Sequence, residues 1–194
     1  GFFAAYVPGN DHIIYPEGLA KPLPPNSQLH FQIHYTPTGK ATEDQLMVGL
    51  VYSKTKPVHR VRTIGVKNNK LLIPAHAANH HEQARIPVPA DVRLLCLMPH
   101  MHVRGKAFRY LAKLPNGSTE TILDIPTYDF NWQLAYHFAN PLRIPRGSTI
   151  EAHGWFDNSK NNPANPDPTK PVRWGDQTHE EMLIGYVEYY LPQD

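Results

Sequence analysis

Prolines recur along the whole sequence, with 20 among its 194 residues, roughly twice the ordinary usage of about 5%. Because a proline disrupts the interior of an α-helix, long helices are disfavoured. Between the prolines lie short alternating or β-branched segments, which are typical of strands: residues 28–35, 46–53, 58–66, 70–73, 82–88, 92–102, 108–114, 118–124, 149–156 and 182–190. The sequence therefore predicts an all-β fold, an antiparallel β-sandwich.

Local turn signals add three more detailed expectations. Residues 108–114 and 118–124 flank Pro115-Asn116-Gly117, and an Asn-Gly pair favours a tight turn, so a β-hairpin is predicted there. Residues 82–88 and 92–102 flank Pro89-Ala90 and are expected to pair in the same way. The polar stretch 157–177, rich in Asn and Pro, is expected to be an ordered surface loop built from Asx turns.

Charge and cysteine content exclude several classes of function. Lys and Arg number 19 against 17 Asp and Glu, a net charge of +2, which gives no basic footprint for nucleic acid or an anionic membrane. No apolar run approaches the roughly 18 residues that a membrane span needs. With Cys96 as the single cysteine, an intrachain disulfide, a zinc finger and an iron–sulfur cluster are excluded. The 12 histidines make metal binding the first chemical question.

The segment His100-Met101-His102 is the first candidate for metal chemistry. In a strand, residues i and i+2 project from the same face, about 7 Å apart at their Cα atoms, so both imidazoles could ligate one metal ion. The same spacing fits two histidines on a solvated strand face. Met182 lies on the last predicted strand, where methionine is commonly core filler. As a ligand its thioether would select Cu(I) over zinc and complete a three-coordinate site.

Several segments together resemble one enzyme family. They are residues 97–106 (LMPHMHVRGK), 128–133 (YDFNWQ), 157–168 (DNSKNNPANPDP), 173–178 (RWGDQT) and 180–190 (EEMLIGYVEYY). This combination resembles the copper type II, ascorbate-dependent monooxygenases, which include peptidylglycine α-hydroxylating and dopamine β-monooxygenase. The similarity runs from about residue 28 to residue 190 and is greatest to bacterial C-terminal domains of that family.

The resemblance implies a jelly-roll-like domain over residues 46–194, in which copper is held by His100, His102 and Met182. Residues 1–45 would be the C-terminal remnant of a first β-domain. His34, in LHFQIHY (29–35), falls where the family has the third histidine of a second copper site, whose adjacent His-His pair lies farther N-terminal than this sequence reaches. The partners implied are O₂, a small-molecule or peptide substrate, and an electron donor, either ascorbate or a redox domain.

The family's substrate residues are only partly matched. Tyr186 corresponds to a substrate-binding tyrosine, and it is the catalytic-site candidate. Met98 stands in place of an arginine and Ile184 in place of an asparagine, so the cationic clamp for a substrate carboxylate is missing. Peptide amidation is therefore not expected. Gly1 to Tyr6 have no signal-peptide character, and a periplasmic or extracellular location is implied by the resemblance alone.

Local pairing suggests further metal ligands. In the hairpin expected about Pro89-Ala90, His80 and His81 would lie opposite Pro99 and Met98, beside His100. Either histidine could then be a ligand or a partner that orients His100, or both could be exposed at the start of a strand. The thioether of Met98 shares the face of His100 and competes with Met182 as the sulfur ligand.

Three functions stay open on the sequence. The first is a mononuclear copper domain of a two-copper monooxygenase, which activates O₂ for C–H hydroxylation. The second is a non-catalytic copper-binding module for storage, transfer or sensing, which the incomplete second site and the missing clamp favour. The third is a metal-free structural domain of a larger protein.

Overall fold

The computed structural model describes residues 2–7, 10, 12–35 and 38–192. None of these residues is helical, so no helix long and apolar enough to cross a membrane is present among them. The described residues form twelve strands: β1 (Leu19–Ala20), β2 (His59–Arg60), β3 (Arg62–Lys67), β4 (Leu72–Ile73), β5 (His80–Pro87), β6 (Val92–His100), β7 (Gly105–Lys113), β8 (Thr119–Ile125), β9 (Tyr136–Ile144), β10 (Thr149–Phe156), β11 (Val172–Arg173) and β12 (Ile184–Tyr190).

Two four-stranded sheets make up most of the molecule. One has the strand order β5-β10-β7-β8 and the other the order β3-β12-β6-β9, with every neighbouring pair antiparallel. The short strands form a parallel pair, β1-β2, and an antiparallel pair, β4-β11. The prediction of an all-β, antiparallel, jelly-roll-like β-sandwich is confirmed.

The core lies between the two large sheets. Leu94, Leu97 and Val187 face it from one sheet, and Phe108 and Phe156 face it from the other, each at most 1% exposed. Burying a side chain of this size stabilises the fold by about 1.5–3 kcal/mol relative to leaving it in water. Residues that alternate with these inward side chains project from the outer faces, and the candidate metal ligands are among them.

The hairpin about Pro115-Asn116-Gly117 is confirmed. Strands β7 and β8 pair from Lys113 opposite Thr119 onward. Gly117 has a φ of 87°, a left-handed conformation that glycine adopts without a steric cost. The Asn116 side chain accepts a hydrogen bond from the backbone N–H of Ser118. Local sequence was sufficient here because the turn fixes the register.

The hairpin expected about Pro89-Ala90 is wrong. Strand β5 pairs with β10, whereas β6 lies in the opposite sheet between β12 and β9. Residues 88–91 therefore cross from one sheet to the other. Strand β6 is buried along most of its length, so it needs a neighbouring strand on each side, and β5 alternates between buried and exposed as an edge strand does.

Other strand expectations also differ from the structure. The expected strands 28–35 and 46–53 do not form, because these residues are exposed and pair with no other described strand. Strand β9, which contains Pro141, was not among the expected strands. Strand β9 lies at the edge of its sheet, and its register to β6 shifts between Leu94 and Cys96. Proline is tolerated at sheet edges and at such irregularities, because its missing N–H leaves no hydrogen bond unmade there.

The stretch 157–177 is an ordered loop with Asx turns, as expected. Four side-chain oxygens each accept a hydrogen bond, at 2.9–3.3 Å, from the backbone N–H of the residue two positions later. They belong to Asp157, Asn162, Asn165 and Asp167. Asn158 is fully buried, and its amide donates to the carbonyls of residues 74 and 170. The loop also includes the short strand β11, which pairs with β4. Asn162 donates a hydrogen bond to the carbonyl of Val103, which fastens the loop just beyond the end of β6.

Candidate metal centre

The rings of His100 and His102 lie together at the end of β6. Their centroids are 5.2 Å apart, and their planes are nearly perpendicular. Ile184 of β12 lies opposite His100, on the outer face of the sheet. The structure therefore brings together the two imidazoles that the strand periodicity predicted would share a face.

One hydrogen bond fixes the orientation of the His100 ring. Its Nδ1 atom lies 2.6 Å from Oε1 of Gln133. The Gln133 amide nitrogen donates to the carbonyl of Phe130 at 2.8 Å, so the amide oxygen must face His100. A neutral His100 then carries its proton on Nδ1 and presents the lone pair of Nε2.

His102 is oriented in the same way. Its Nδ1 atom lies 3.2 Å from the main-chain carbonyl oxygen of Glu180, which can only accept a hydrogen bond. The lone pair of Nε2 is again left for a ligand. A metal-binding histidine commonly donates its other ring N–H to an oxygen in this manner.

Both rings are held in the neutral form that ligates metals. The pKa of His100 is lowered to about 4, because burial outweighs the hydrogen bond to Gln133, which raises it, and the positive forms of His102 and His34 add to the lowering. Burial also lowers the pKa of His102, with a smaller contribution from His34. His34 itself is exposed, on a segment without strands.

The carboxylate of Glu181 joins the segments that carry the candidate ligands. Its Oε2 atom accepts hydrogen bonds from the backbone N–H groups of His102 at 2.9 Å and Met182 at 3.2 Å. Its Oε1 atom accepts from the N–H of Arg104 at 2.9 Å. Burial raises the pKa of Glu181 to about 7, against these bonds, which favour ionisation. One carboxylate thus holds the backbones of His102 and Met182 side by side.

Two further groups brace the His100-Met101-His102 segment. The hydroxyl of Tyr128 accepts a hydrogen bond from the N–H of Met101 at 3.0 Å and donates to its carbonyl at 2.8 Å. The buried guanidinium of Arg104 donates to Asn158 and to the carbonyl of His179, both at 3.0 Å. The histidine segment is therefore fixed on both sides by buried polar contacts.

The donor set fits copper by its chemistry. Continuing the register of β6 and β12 by two residues brings Met182 opposite His102, and Met98 precedes His100 by two positions on the same face. Two imidazoles with one thioether suit Cu(I). Among the described residues, no three His, Cys, Asp or Glu side chains are arranged to hold a metal.

Tyr186 lies on the same outer face, opposite Met98. It is half-buried, and burial raises its pKa. The ring of Phe2 stacks on it, with centroids 4.7 Å apart. The cavity beside these rings measures about 20 Å³, which is room for about one water molecule. With Phe2 in place, no substrate fits against Tyr186.

His80 and His81 lie away from this centre. They pair with Phe156 and Trp155 of β10 in the other large sheet. The Nε2 atom of His80 bonds Glu82 at 3.0 Å, and Nε2 of His81 lies 3.0 Å from Nδ1 of His153. The pairing that placed these histidines beside His100 is wrong, so their assignment to this metal centre loses its geometric basis.

Sequence reasoning did not single out Gln133, Glu181, Tyr128 or Arg104. All four fall within segments that carry the family resemblance, but no local pattern marks a residue that acts by contacting another strand. The conspicuous signal was an acidic residue directly before Met182, Glu181, whose side chain is fully buried. Buried carboxylates need several hydrogen-bond donors, and backbone N–H groups supply them here.

The sequence matches no protein-family model and no curated protein. Among solved structures it is similar to the VP2 subviral particle of infectious bursal disease virus, with 14% identity, a TM-score of 0.35, and coverage of 70% of this chain and 33% of that one. It is also similar to the Gx strain of this virus, with 11% identity, a TM-score of 0.37, and coverage of 75% and 36%. The chain thus spans about a third of these structures, and TM-scores below 0.5 carry no argument about function.

Proposed function

We propose that this chain is a copper-binding domain of a monooxygenase, with its centre at His100, His102 and Met182. The observation that carries the proposal is the pair of Nδ1 hydrogen bonds, to Gln133 at 2.6 Å and to the carbonyl of Glu180 at 3.2 Å. They leave two lone pairs, both on Nε2, on one face of the sheet. The family resemblance of the same segments supports it.

Each part of the chain has a distinct task in this proposal. Gln133 and the Glu180 carbonyl orient the imidazoles, and Glu181 holds Met182 beside His102. Copper bound there would supply the one-electron chemistry with O₂ that C–H hydroxylation requires. Ascorbate or a redox domain would provide the electrons. A substrate would reach Tyr186 only once the ring of Phe2 is displaced from it.

An anaerobic Cu(I) titration against a competing chelator tests the centre. We expect one tight equivalent, lost in His100→Ala and His102→Ala and at least tenfold weaker in Met182→Ala. Met47→Ala is the matched control, because Met47 is 85% exposed, and His137→Ala is the control for an exposed histidine on the neighbouring strand β9. Binding that is the same in Met182→Ala and the wild type would refute the assigned sulfur ligand.

A second candidate function is a copper module without hydroxylation. The cover of Phe2 over Tyr186, with a cavity of only about 20 Å³, favours it because no substrate has access. Oxygen uptake by the copper-loaded protein with ascorbate separates the two candidates. Consumption coupled to a hydroxylated product supports the monooxygenase, and tight copper without such product supports the binding module.

A further inference from the structure

A second pair of histidines lies on the opposite sheet. His81 on β5 and His153 on β10 belong to neighbouring antiparallel strands. Their rings are stacked, with centroids 5.2 Å apart and planes inclined by 13°. The Nε2 atom of His81 lies 3.0 Å from Nδ1 of His153. Two ring nitrogens from different strands thus face each other.

A carboxylate decides which nitrogen of His153 carries the proton. Oε2 of Glu151 lies 3.1 Å from Nε2 of His153, and its other oxygen pairs with Lys113 at 2.9 Å. An ionised carboxylate only accepts, so Nε2 of His153 is the donor and Nδ1 holds the lone pair. A carboxylate that fixes a ring while the other nitrogen faces a ligand is the usual support of a metal-binding histidine.

The separation of the two nitrogens also suits a shared metal ion. Two ligands at about 2.0–2.1 Å from one metal, at an angle between the square-planar 90° and the tetrahedral 109°, lie about 2.8–3.4 Å apart. The observed distance is 3.0 Å. The His153 and Glu151 side chains are 13% and 5% exposed, whereas His81 is exposed. One ligand is therefore fixed, and the other is open to solvent.

We propose that His81 and His153 form a second metal site, for a divalent transition-metal ion and above all for Cu²⁺. Imidazole nitrogens bind Cu²⁺ most strongly among the divalent first-row metals, and no sulfur lies among these ligands to favour Cu(I). His81 changes tautomer to present Nε2, and water completes the coordination. The site is independent of the centre at His100 and of the function proposed for it.

Trp155 provides a local readout of this site. Its ring lies 4.9 Å from the ring of His81 and 6.3 Å from that of His153. Bound Cu²⁺ quenches indole fluorescence at contact distance. The probe is copper(II) chloride, added in air without reductant. The signal is the fluorescence of the wild type minus that of Trp155→Phe, and this subtraction removes the contributions of Trp132 and Trp174.

We expect this difference signal to saturate with one equivalent of Cu²⁺. Binding becomes at least tenfold weaker in His81→Gln and in His153→Gln, and roughly tenfold weaker in Glu151→Gln, because that substitution removes the orienting carboxylate. His80→Ala is the matched control, since His80 is the adjacent residue and bonds Glu82 instead. Both the control and His100→Ala keep the wild-type affinity. Circular dichroism verifies that each variant is folded.

Three results would overturn the proposal. The first is an unchanged affinity in folded His81→Gln or His153→Gln, which would place the quenching ion elsewhere. The second is fluorescence quenching of equal amplitude in the wild type and in Trp155→Phe. The third is loss of binding in His100→Ala alone, which would assign the Cu²⁺ to the centre on the other sheet. Absence of Cu(I) binding at that centre would leave this second site unaffected.

Discussion

The imidazole of His100 and the amide of Gln133 form one of the shortest side-chain contacts beside the candidate centre, with 2.6 Å between Nδ1 and Oε1. Gln133 is fixed in turn by its bond to the carbonyl of Phe130. A residue 33 positions away in the sequence thus determines which nitrogen of His100 is available to a metal.

We expect Gln133→Leu to weaken Cu(I) binding about 10- to 100-fold, the usual effect of removing the group that orients a metal-binding histidine. The fold should be retained, because leucine fills a similar volume. A chelator-competition titration measures the change, and Trp132→Phe, in the same loop with Trp132 58% exposed, is the control. An affinity equal to that of the wild type would show that Gln133 does not position His100.

Glu181→Gln should lower the free energy of unfolding by about 2 kcal/mol. The two carboxylate oxygens of Glu181 accept hydrogen bonds from three buried backbone N–H groups, and an amide has only one oxygen to accept them. Copper affinity should fall as well, since Oε2 joins His102 to Met182. Urea unfolding gives the first quantity. Glu120→Gln, on an exposed position of β8, should leave both unchanged, and equal stabilities for the two variants would contradict the role of Glu181.

Gly105→Ala should destabilise the fold by about 1–3 kcal/mol, as overpacking of a filled interior does. A Cβ atom there would lie 2.8 Å from the ring of Tyr128 and 2.9 Å from Cβ of Met101. Gly49→Ala is the matched control, since its Cβ would meet nothing within 4 Å. Thermal unfolding of both variants decides the matter, and similar midpoints would show that Tyr128 can move aside.

Local patterns predicted what depends on local sequence. Alternation predicted that His100 and His102 share a face, and Asn116-Gly117 predicted the β7–β8 hairpin, because both follow from backbone geometry over a few residues. The contacts that orient the imidazoles span long separations, such as the 79 residues between His102 and Glu181. They depend on the strand order of the sheets. The expected β5–β6 hairpin was wrong for the same reason, and it misplaced His81.

The long loop should respond to acid through Asp167. The hydroxyl of Thr169 at 2.6 Å, Lys170 at 3.0 Å and the N–H of Thr169 at 2.9 Å stabilise its ionised form, and they lower its pKa from 3.8 to about 2. The carboxylate therefore stabilises the fold above about pH 4, and this contribution is lost as the pH falls through 2. Asp167→Asn should be less stable than the wild type at pH 6, and this difference should disappear as the pH falls below 2. A difference between Asp167→Asn and the wild type that stays constant from pH 6 to below pH 2 would contradict this account.

The single thiol should be unreactive in the folded protein. Cys96 is 3% exposed, and burial raises its pKa to about 12, so almost no thiolate is present at pH 8, where a free cysteine with a pKa of about 8.5 is partly ionised. A disulfide reagent at pH 8 should label less than a few per cent of the native chain in minutes and one thiol in urea. Since Cys96 is then excluded as a copper ligand, Cys96→Ala should retain one equivalent of Cu(I). Rapid labelling of the native protein, or loss of that equivalent, would show that the thiol is accessible and competes with Met182 for the metal.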